Sequence, residues 1–291
     1  MPYDCQSMTA PIRRLLIKRP EAAFFNQNRI DAQWQELHFI GPPNYAKALE
    51  EYQTFEAILA NHVDELHFLP FDDSTTLDSI YTHDPVIITR KGAILCNMGK
   101  PARASEPERI GAFLEKVDVP VLGKINGRGR LEGGDVVWLT ERILAVGLGY
   151  RTNEEGIRQL RNILGDLVDE IIAVPLPHWN GADDVLHLMS ILSPIDEDLH
   201  LVYSRLLPAF FRQKLLDRGV RLIEVPDEEY ESMTCNVLAL APGKCLMLVG
   251  NPITRKRLEA AGTEVFEFKG EEICHKGAGG PTCLTRPLLR K

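Results

Sequence analysis

The sequence has few cysteines, no long apolar run and no excess of positive charge, and each absence excludes a class of protein. Six cysteines in 291 residues form no Cys-x-x-Cys pair, which argues against a zinc ribbon and favours reduced thiols in a cytoplasmic protein. No apolar stretch approaches the roughly 18 residues of a membrane span. The N-terminus MPYDCQSMTAPIRRLL lacks the apolar core of a secretion signal. The net charge of −8 disfavours a nucleic-acid partner.

What the sequence does contain is a weak internal repeat of apolar hairpins. Hairpin patterns start at Pro85, Gly134, Leu186 and Asn236, and a fifth strand pattern starts at Thr282. The fifth unit lacks a second strand, which the N-terminal run IRRLLIKRP can supply, so that the chain closes into a ring. Periods of roughly 50 residues are typical of propeller-like arrays.

Each hairpin is followed by a helical pattern and a third short strand, as in SEPERIGAFLEKV followed by VPVLG. The predicted helix N-caps are Ser105 and Asn153. Two predicted helix ends are each followed by a glycine, Gly219 and Gly262. The sequence therefore predicts an α/β fold with five strand–strand–helix–strand units in one domain over residues 1–291. Because other α/β proteins also show regular spacing, an ordinary α/β arrangement is the alternative.

The repeat predicts that four polar residues, far apart in sequence, meet in space. Asp84, Glu132, His187 and Cys283 all lie at the start of a hairpin's first strand, so they should converge at one end of the ring. Each has a plain structural interpretation: a turn-capping aspartate, a solvated turn acid, a packed core histidine and a buried thiol. Their equivalent positions favour a shared site.

The residue types in this group indicate a particular chemistry. Cys283 and His187 form a thiol–imidazole pair of the kind that gives a reactive thiolate. The carboxylates Asp84 and Glu132 need a cation if they are buried, and a planar guanidinium offers in-plane N–H donors to both. The group therefore favours attack on an amidine or guanidine carbon rather than proteolysis.

Four motifs, in this order, resemble the guanidine-modifying superfamily with the five-bladed α/β propeller (pentein) fold: LEGGDVVWL, GYRTNEEG, VLHLMSILSP and GPTCLT. They look most like the dimethylarginine dimethylaminohydrolases, and next like the arginine deiminases. The resemblance implies that Cys283 is the nucleophile and His187 the general acid/base. It also implies that Glu132 supports the guanidinium and the histidine, and that Asp84 grips the guanidinium.

The resemblance also implies residues that hold the rest of the substrate. Asp78 would contact the amino-acid end, and Arg103 and Arg151 would bind the carboxylate. His83 stands where the dimethylarginine enzymes usually carry an acid, and is expected to accommodate a different group at the guanidine nitrogen. Met189 replaces an aspartate of the arginine deiminases, which points away from simple deimination of free arginine.

We therefore expect a cytoplasmic hydrolase that converts an Nω-methylated arginine to citrulline and an amine through a covalent thiouronium. No cofactor or metal is expected, the partner is a small guanidino molecule, and a homo-oligomer is left open. The alternatives are an arginine deiminase or dihydrolase, an amidinotransferase, hydrolysis of a non-amino-acid guanidine or amidine, and a non-catalytic binding protein. The stretch 24–43 has a loop-like pattern that suits either a lid or an ordinary surface loop.

Overall fold

The computed structural model describes residues 2–291 and, within them, fifteen β-strands and eight α-helices. The strands are β1 Ile12–Ile17, β2 Glu65–Phe68, β3 Val86–Thr89, β4 Gly92–Leu95, β5 Val121–Lys124, β6 Val136–Thr140, β7 Ile143–Leu148, β8 Glu170–Pro175, β9 Leu192–Asp196, β10 Leu199–Val202, β11 Arg221–Glu224, β12 Leu238–Ala241, β13 Lys244–Leu248, β14 Glu264–Phe268 and β15 Thr285–Arg290. The helices are α1 Pro20–Ala23, α2 Gln27–Gln33, α3 Tyr45–Ala60, α4 Glu106–Lys116, α5 Glu154–Leu164, α6 Ala209–Asp217, α7 Asp227–Tyr230 and α8 Pro252–Ala260.

The strands form five three-stranded sheets, and all five have one plan. An antiparallel hairpin is joined through a helix to a third strand that pairs in parallel with the second strand of the hairpin. The orders are β3-β4-β5, β6-β7-β8, β9-β10-β11 and β12-β13-β14, and the fifth sheet is β15-β1-β2. The five strand–strand–helix–strand units expected from the repeat are therefore confirmed.

The fifth sheet joins the two ends of the chain. Strand β1 pairs antiparallel with β15 and parallel with β2, so that Leu15 lies opposite both Pro287 and Leu66. As the middle strand, β1 is covered on both faces, and Leu15, Leu16 and Ile17 are fully buried. Such a continuous apolar run is typical of a strand that faces no solvent. The N-terminal strand thus closes the ring, as its sequence predicted.

The helix ends confirm most of the predicted caps and correct one. Asn153 accepts a hydrogen bond from the Gly156 amide at the start of α5, as an N-cap should. Ser105 does not cap α4, because its backbone is helical and its hydroxyl donates to the Ser74 carbonyl instead. Gly219 and Gly262 follow α6 and α8 with φ of 79° and 93°, a left-handed conformation that suits glycine.

The stretch 24–43 is more ordered than its sequence suggested. It contains helix α2, whose first turn is capped by the side chain of Asn26, which accepts from the Arg29 amide. Phe24 and Ile30 are fully buried in the core. The loop-like interpretation is therefore wrong for its first half, because a good cap and two apolar anchors outweigh its polar composition. The lid function stays a prediction.

The apolar core consists of four clusters of buried side chains between the sheets and the helices. The residues that precede the first strands of the hairpins are polar and still buried, among them Asp84, Glu132 and His187. Buried polar groups are costly unless they are paired, so this cluster is where a functional site is expected. Within residues 2–291 no helix combines the length and apolar composition that a membrane crossing requires.

Candidate active site

Residues from separate units line one cavity of about 330 Å³. Asp84 precedes β3, His187 precedes β9 and Cys283 precedes β15, and all three line its wall. Glu132, which precedes β6, is fully buried behind His187 and contacts its ring. The repeat therefore brings together the four residues that the sequence singled out.

The imidazole of His187 lies between two carboxylates. Nε2 donates to Oε2 of Glu132 at 2.7 Å, and Nδ1 lies 3.8 Å from Oδ1 of Asp84. Burial disfavours the charged ring, but Asp84, Asp135 and Glu132 outweigh burial and raise the pKa of His187 to about 9. The ring is therefore an imidazolium at neutral pH, with both nitrogens protonated.

Glu132 is held ionised by four donors. Its Oε1 accepts from the backbone amides of Gly99 at 2.8 Å and Lys100 at 3.2 Å. Its Oε2 accepts from Nη1 of Arg151 at 3.0 Å and from His187. Burial alone would raise its pKa, but the bond to His187 and the charge of Arg151 lower the pKa of Glu132 to about 2.

Asp84 is held in a similar way by a different set of groups. Oδ1 accepts from the Gly134 amide at 3.0 Å, and Oδ2 pairs with Nη1 of Arg103 at 2.6 Å. Although burial opposes it, the charges of His187 and Arg103 keep the pKa of Asp84 well below its usual range. Two ionised carboxylates therefore face the same imidazolium.

The two glycines of the LEGGD motif make this packing feasible. They lie in the 3₁₀ turn Gly133–Asp135 that leads into β6. A Cβ added to Gly134 would lie less than 3.0 Å from Nδ1 of His187 and 2.8 Å from Oδ1 of Asp84. A Cβ on Gly133 would overlap the His83 carbonyl. The glycines are thus needed for close approach, since neither has a positive φ.

Cys283 is partly exposed as a residue, and the other five cysteines are buried. Its Sγ accepts a hydrogen bond of 3.1 Å from Nδ2 of Asn236. Burial of the thiol and the nearby charge of Asp84 raise the pKa of Cys283 to about 12. At neutral pH this residue is therefore an uncharged thiol.

Asn236 is a site residue that the sequence analysis missed. It precedes β12, which makes it the fifth member of the repeat-equivalent set. Its Oδ1 accepts from the Thr282 amide and its Nδ2 donates to the thiol, so it ties two neighbouring units together at Cys283. Its position in the repeat was the available signal. Asn236 lies at the start of the fourth hairpin pattern, and Asp84 lies at the corresponding place just before the first.

Arg103 lines the cavity, but its guanidinium is bound by the protein. It pairs with Asp84, forms a fork with both oxygens of Glu106, and donates from Nη2 to the Tyr81 carbonyl. Only one hydrogen on Nη1 is left for another acceptor. The fork expected to receive a substrate carboxylate is thus occupied by Glu106, which the sequence did not indicate as a partner.

Arg151 and Lys100 are more accessible cations in the same wall. Within residues 2–291, Arg151 makes side-chain hydrogen bonds only from Nη1, and only to Glu132, which leaves its other nitrogens free. Lys100 pairs with Asp78 at 2.7 Å and donates to the Leu37 carbonyl. Asp78 and Arg151 therefore lie where the sequence placed them, and Lys100 joins them.

His83 is buried beside the cavity, with its ring held by the backbone. Nδ1 donates to the Thr285 carbonyl at 2.9 Å, and Nη2 of Arg286 donates to the carbonyl of His83. Burial and the charge of Arg286 keep the pKa of His83 well below its usual value. The ring is therefore neutral, and its contact with a substituent of the substrate stays a prediction.

Asp84, Glu132 and His187 also offer ligand atoms within 4.8 Å of one another, a spacing that could hold a metal ion. Each carboxylate is already paired with an arginine, however, and His187 is positively charged in this setting. A histidine that binds a metal must have a neutral imidazole ring. The donor set therefore suits an organic cation better than a metal.

The outer part of the cavity combines apolar, aromatic and acidic side chains. Met189 and Leu186 lie near His187, and Ile40 contributes from the stretch 24–43. Farther out, the wall includes an aromatic pair, Trp179 and Tyr230, and the acids Asp184 and Glu231. The cavity wall thus combines carboxylates, cations and apolar atoms around a thiol, which suits a cationic molecule that also carries apolar and anionic portions.

Comparisons with known proteins agree with this chemistry. The family model described as arginine deiminase matches residues 76–211 and 207–290. The dimethylarginine dimethylaminohydrolase of Pseudomonas aeruginosa is 28% identical over 249 residues, which are 84% of this chain and 90% of that protein. A solved structure of that enzyme in complex with citrulline has a TM-score of 0.76 at 26% identity and covers 97% of this chain and 100% of its own. The N-terminal domain of ArgZ, an arginine dihydrolase from cyanobacteria, has a TM-score of 0.79 at 18% identity, covering 96% of this chain and 98% of its own. These similarities show the five-bladed α/β propeller fold.

Proposed function

The chain belongs to the arginine deiminase family of guanidine-modifying enzymes, and from this premise we propose that it hydrolyses an Nω-methylated arginine to citrulline and a methylated amine. Cys283 is the nucleophile, His187 is the general acid and then the general base, and Asp84 and Glu132 hold the guanidinium. The observation that carries the proposal is the imidazolium of His187 between two carboxylates, in the wall of the cavity that Cys283 faces.

The first half-reaction begins with an uncharged thiol. Because His187 is already protonated, it cannot take the proton of Cys283. That proton passes to solvent as the cationic substrate binds. The guanidinium charge beside Sγ then lowers the pKa of the thiol. The thiolate attacks the guanidinium carbon to form a C–S bond, the C–N bond to the amine breaks, and His187 donates a proton to the departing nitrogen.

The second half-reaction uses the same groups in reverse. His187, now neutral, accepts a proton from a water molecule that attacks the thiouronium carbon. The C–S bond then breaks, the thiolate of Cys283 leaves, and loss of the remaining hydroxyl proton to solvent gives the ureido group of citrulline. Asp84 and Glu132 keep the reacting carbon in place in both steps by accepting hydrogen bonds from the guanidinium nitrogens.

Two observations support a methylated arginine as the substrate. Met189 and Leu186 place apolar atoms in the cavity wall close to His187, where methyl groups on the reacting nitrogen would be accommodated. Among relatives that match most of this chain, the Pseudomonas protein is named for dimethylarginine hydrolysis. The amino and carboxylate groups at the other end of the substrate would be held by Asp78, Arg151 and Lys100.

A second candidate is hydrolysis of a guanidine that lacks a carboxylate. It is favoured by the fork between Arg103 and Glu106 and by the acids Asp184 and Glu231 at the outer wall. Those acids would suit a terminal ammonium. The two candidates differ in whether a carboxylate on the substrate raises or lowers kcat/KM.

The test is a panel of dimethylarginine, monomethylarginine, arginine and agmatine, with the ureido product and the released amine both quantified. We expect dimethylarginine to have the highest kcat/KM and agmatine to be at least tenfold poorer, which is the effect of about one lost charge-assisted hydrogen bond. Agmatine turned over as well as dimethylarginine would support the second candidate. Release of amine without ureido product from any compound, with the amidino group transferred to an added amine instead, would contradict hydrolysis.

A further inference from the structure

A second cavity, of about 190 Å³, lies on the far side of Glu106 from the catalytic cavity. Its wall includes Lys18, which follows β1 and is 0% exposed. A cavity needs only about 10–15 Å³ of this volume to hold one water, so this one has room for a small organic molecule. The proposed reaction uses none of its space.

Lys18 is a buried cation that contacts no carboxylate directly. Its Nζ donates to Oγ of Ser79 at 2.9 Å and to Oγ1 of Thr75 at 3.3 Å. Within residues 2–291 no carboxylate lies within 4.0 Å of this nitrogen. An ammonium has three donors, so one N–H is left without a partner. The charges of Glu106 and Asp72 compensate this ammonium only at a distance, so an anion bound directly to its free N–H would stabilise it.

Glu106 makes no direct ion pair with Lys18, although it lines the same cavity and its charge favours the ammonium. Both of its carboxylate oxygens are bound by the fork of Arg103. Asp72 is likewise engaged, because it accepts from Ser74 and pairs with Arg109. The acids of the wall thus have direct partners of their own, and they act on Lys18 only through longer-range charge.

The rest of the wall defines the shape and polarity of a ligand. Leu69, Pro70, Ile110 and Phe113 make it largely apolar. Two further cations, Arg109 and Lys116, lie on helix α4 at the same cavity. An apolar wall with a buried ammonium matches an anionic head group on a short hydrocarbon chain better than inorganic phosphate.

We propose that this cavity is a second ligand site, which binds a small aliphatic carboxylate with its head group on Lys18. The carboxylate accepts a hydrogen bond from the free N–H of Lys18, and the hydrocarbon chain of the ligand packs on Leu69, Ile110 and Phe113. Burial lowers the pKa of Lys18 to about 8, so the ammonium is still mostly charged at neutral pH. The ligand therefore replaces an unpaired charge by an ion pair.

Calorimetric titration with sodium pentanoate tests the site, with pentan-1-ol as the uncharged probe of equal length. We expect Lys18→Met, which keeps the length and removes the charge, to weaken pentanoate binding at least tenfold, as for one charge-assisted hydrogen bond. Lys91→Met, at an exposed lysine outside the cavity, should bind like the wild type. Pentan-1-ol should bind at least tenfold more weakly than pentanoate.

A second variant keeps Lys18 and closes the cavity. Ala112 is exposed and lines the cavity on α4, so Ala112→Trp should block entry without disturbing the core. Loss of pentanoate binding in this variant and in Lys18→Met supports the site. Unchanged binding in both would place the probe elsewhere, including the catalytic cavity, and would overturn the proposal. So would equal affinity for the alcohol and the carboxylate.

Discussion

At the scale of single residues, the charges on His187 and Cys283 determine how the reaction can start. The ring of His187 is protonated because three carboxylates outweigh its burial, whereas the thiol of Cys283 is neutral because burial and Asp84 both oppose the thiolate. The free enzyme therefore does not hold a thiolate–imidazolium pair at neutral pH. In the proposed mechanism, the charge of the substrate therefore generates the nucleophile.

Alkylation of Cys283 should therefore depend strongly on pH in the free enzyme. With the pKa of the thiol raised to about 12, the thiolate fraction increases about tenfold per pH unit well below that value. We expect the rate of inactivation by iodoacetamide to rise about tenfold per unit between pH 7 and pH 8.5. Inactivation kinetics with mass spectrometry of the labelled peptide would measure this.

The control for this experiment is the set of buried cysteines, since the other five thiols should label much more slowly. Cys283→Ser should therefore take up little label in the same period while its fold persists. A rate that is already high at pH 7 and does not change with pH would mean that the thiolate is formed without substrate. The order of steps proposed above would then be wrong.

His187 should make stability depend on pH in the neutral to basic range. Its folded pKa, about 9, is above the unfolded value of about 6.5. Its contribution is therefore complete below about pH 6.5, and it is lost as the pH rises through the folded pKa. We expect the free energy of unfolding of the wild type to fall relative to His187→Gln by about 2–3 kcal/mol between pH 6 and pH 9.5.

Urea unfolding of both proteins at four or five pH values would measure this difference. The substitution leaves Glu132 paired with Arg151 and Asp84 paired with Arg103, so the variant is expected to fold. A constant difference between the two proteins across the range would show that the ring has no raised pKa. An increase with pH in the stability of the wild type relative to the variant would mean that the pKa of His187 is lowered instead.

At the scale of elements, the 3₁₀ turn Gly133–Asp135 aligns three strand entrances. It places Glu132 before β6, gives the Gly134 amide to Asp84, and uses Asp135 to accept from the Leu188 amide in the next unit. Gly134→Ala would bring a methyl group within 3.0 Å of the His187 ring. We expect activity to fall at least 100-fold, with a loss of about 1–3 kcal/mol in stability from overpacking.

Gly149→Ala is the matched control for that substitution. It follows β7 in the same unit, has no positive φ, and an added Cβ would meet nothing closer than 3.6 Å. We expect this variant to keep wild-type activity within about twofold and to unfold at nearly the wild-type temperature. Equal tolerance of both substitutions would contradict the close packing of His187 and Asp84 on the turn.

The sequence predicted these elements well where the repeat determined them and poorly where single contacts did. Hairpins and helices follow from apolar periodicity, which is a property of each local segment. The occupation of Arg103 by Glu106 depends on side-chain orientation, and the hydrogen bond from Asn236 to Cys283 joins residues 47 positions apart. Helix α2 was missed because Phe24 and Ile30 anchor it through tertiary burial, which no local pattern reports.

At the scale of the whole molecule, the two ends of the chain lie side by side. The Asp4 amide donates to the Leu288 carbonyl and the Arg290 amide to the Asp4 carbonyl, while Lys291 bonds to the Pro11 carbonyl. Strand β1 is the middle strand of its sheet, so the fifth unit consists of segments from both termini. Ring closure, rather than chain order, should therefore determine whether the molecule folds.

A circular permutant tests this directly. Joining residue 291 to residue 2 through a short Gly/Ser linker makes the fifth unit contiguous, and new ends between Asn126 and Gly127 lie in an exposed loop. An added Cβ at Gly127 would meet nothing within 4 Å, so the loop has open space for new chain ends. We expect the permutant to keep cooperative unfolding and at least a tenth of the wild-type kcat/KM.

Deletion of residues 2–17, which removes β1, should instead abolish folding, because β15 and β2 lose their shared partner. Circular dichroism melts and activity assays of both proteins would decide the matter. A folded, active deletion variant beside an unfolded permutant would show that the fifth unit does not close the ring.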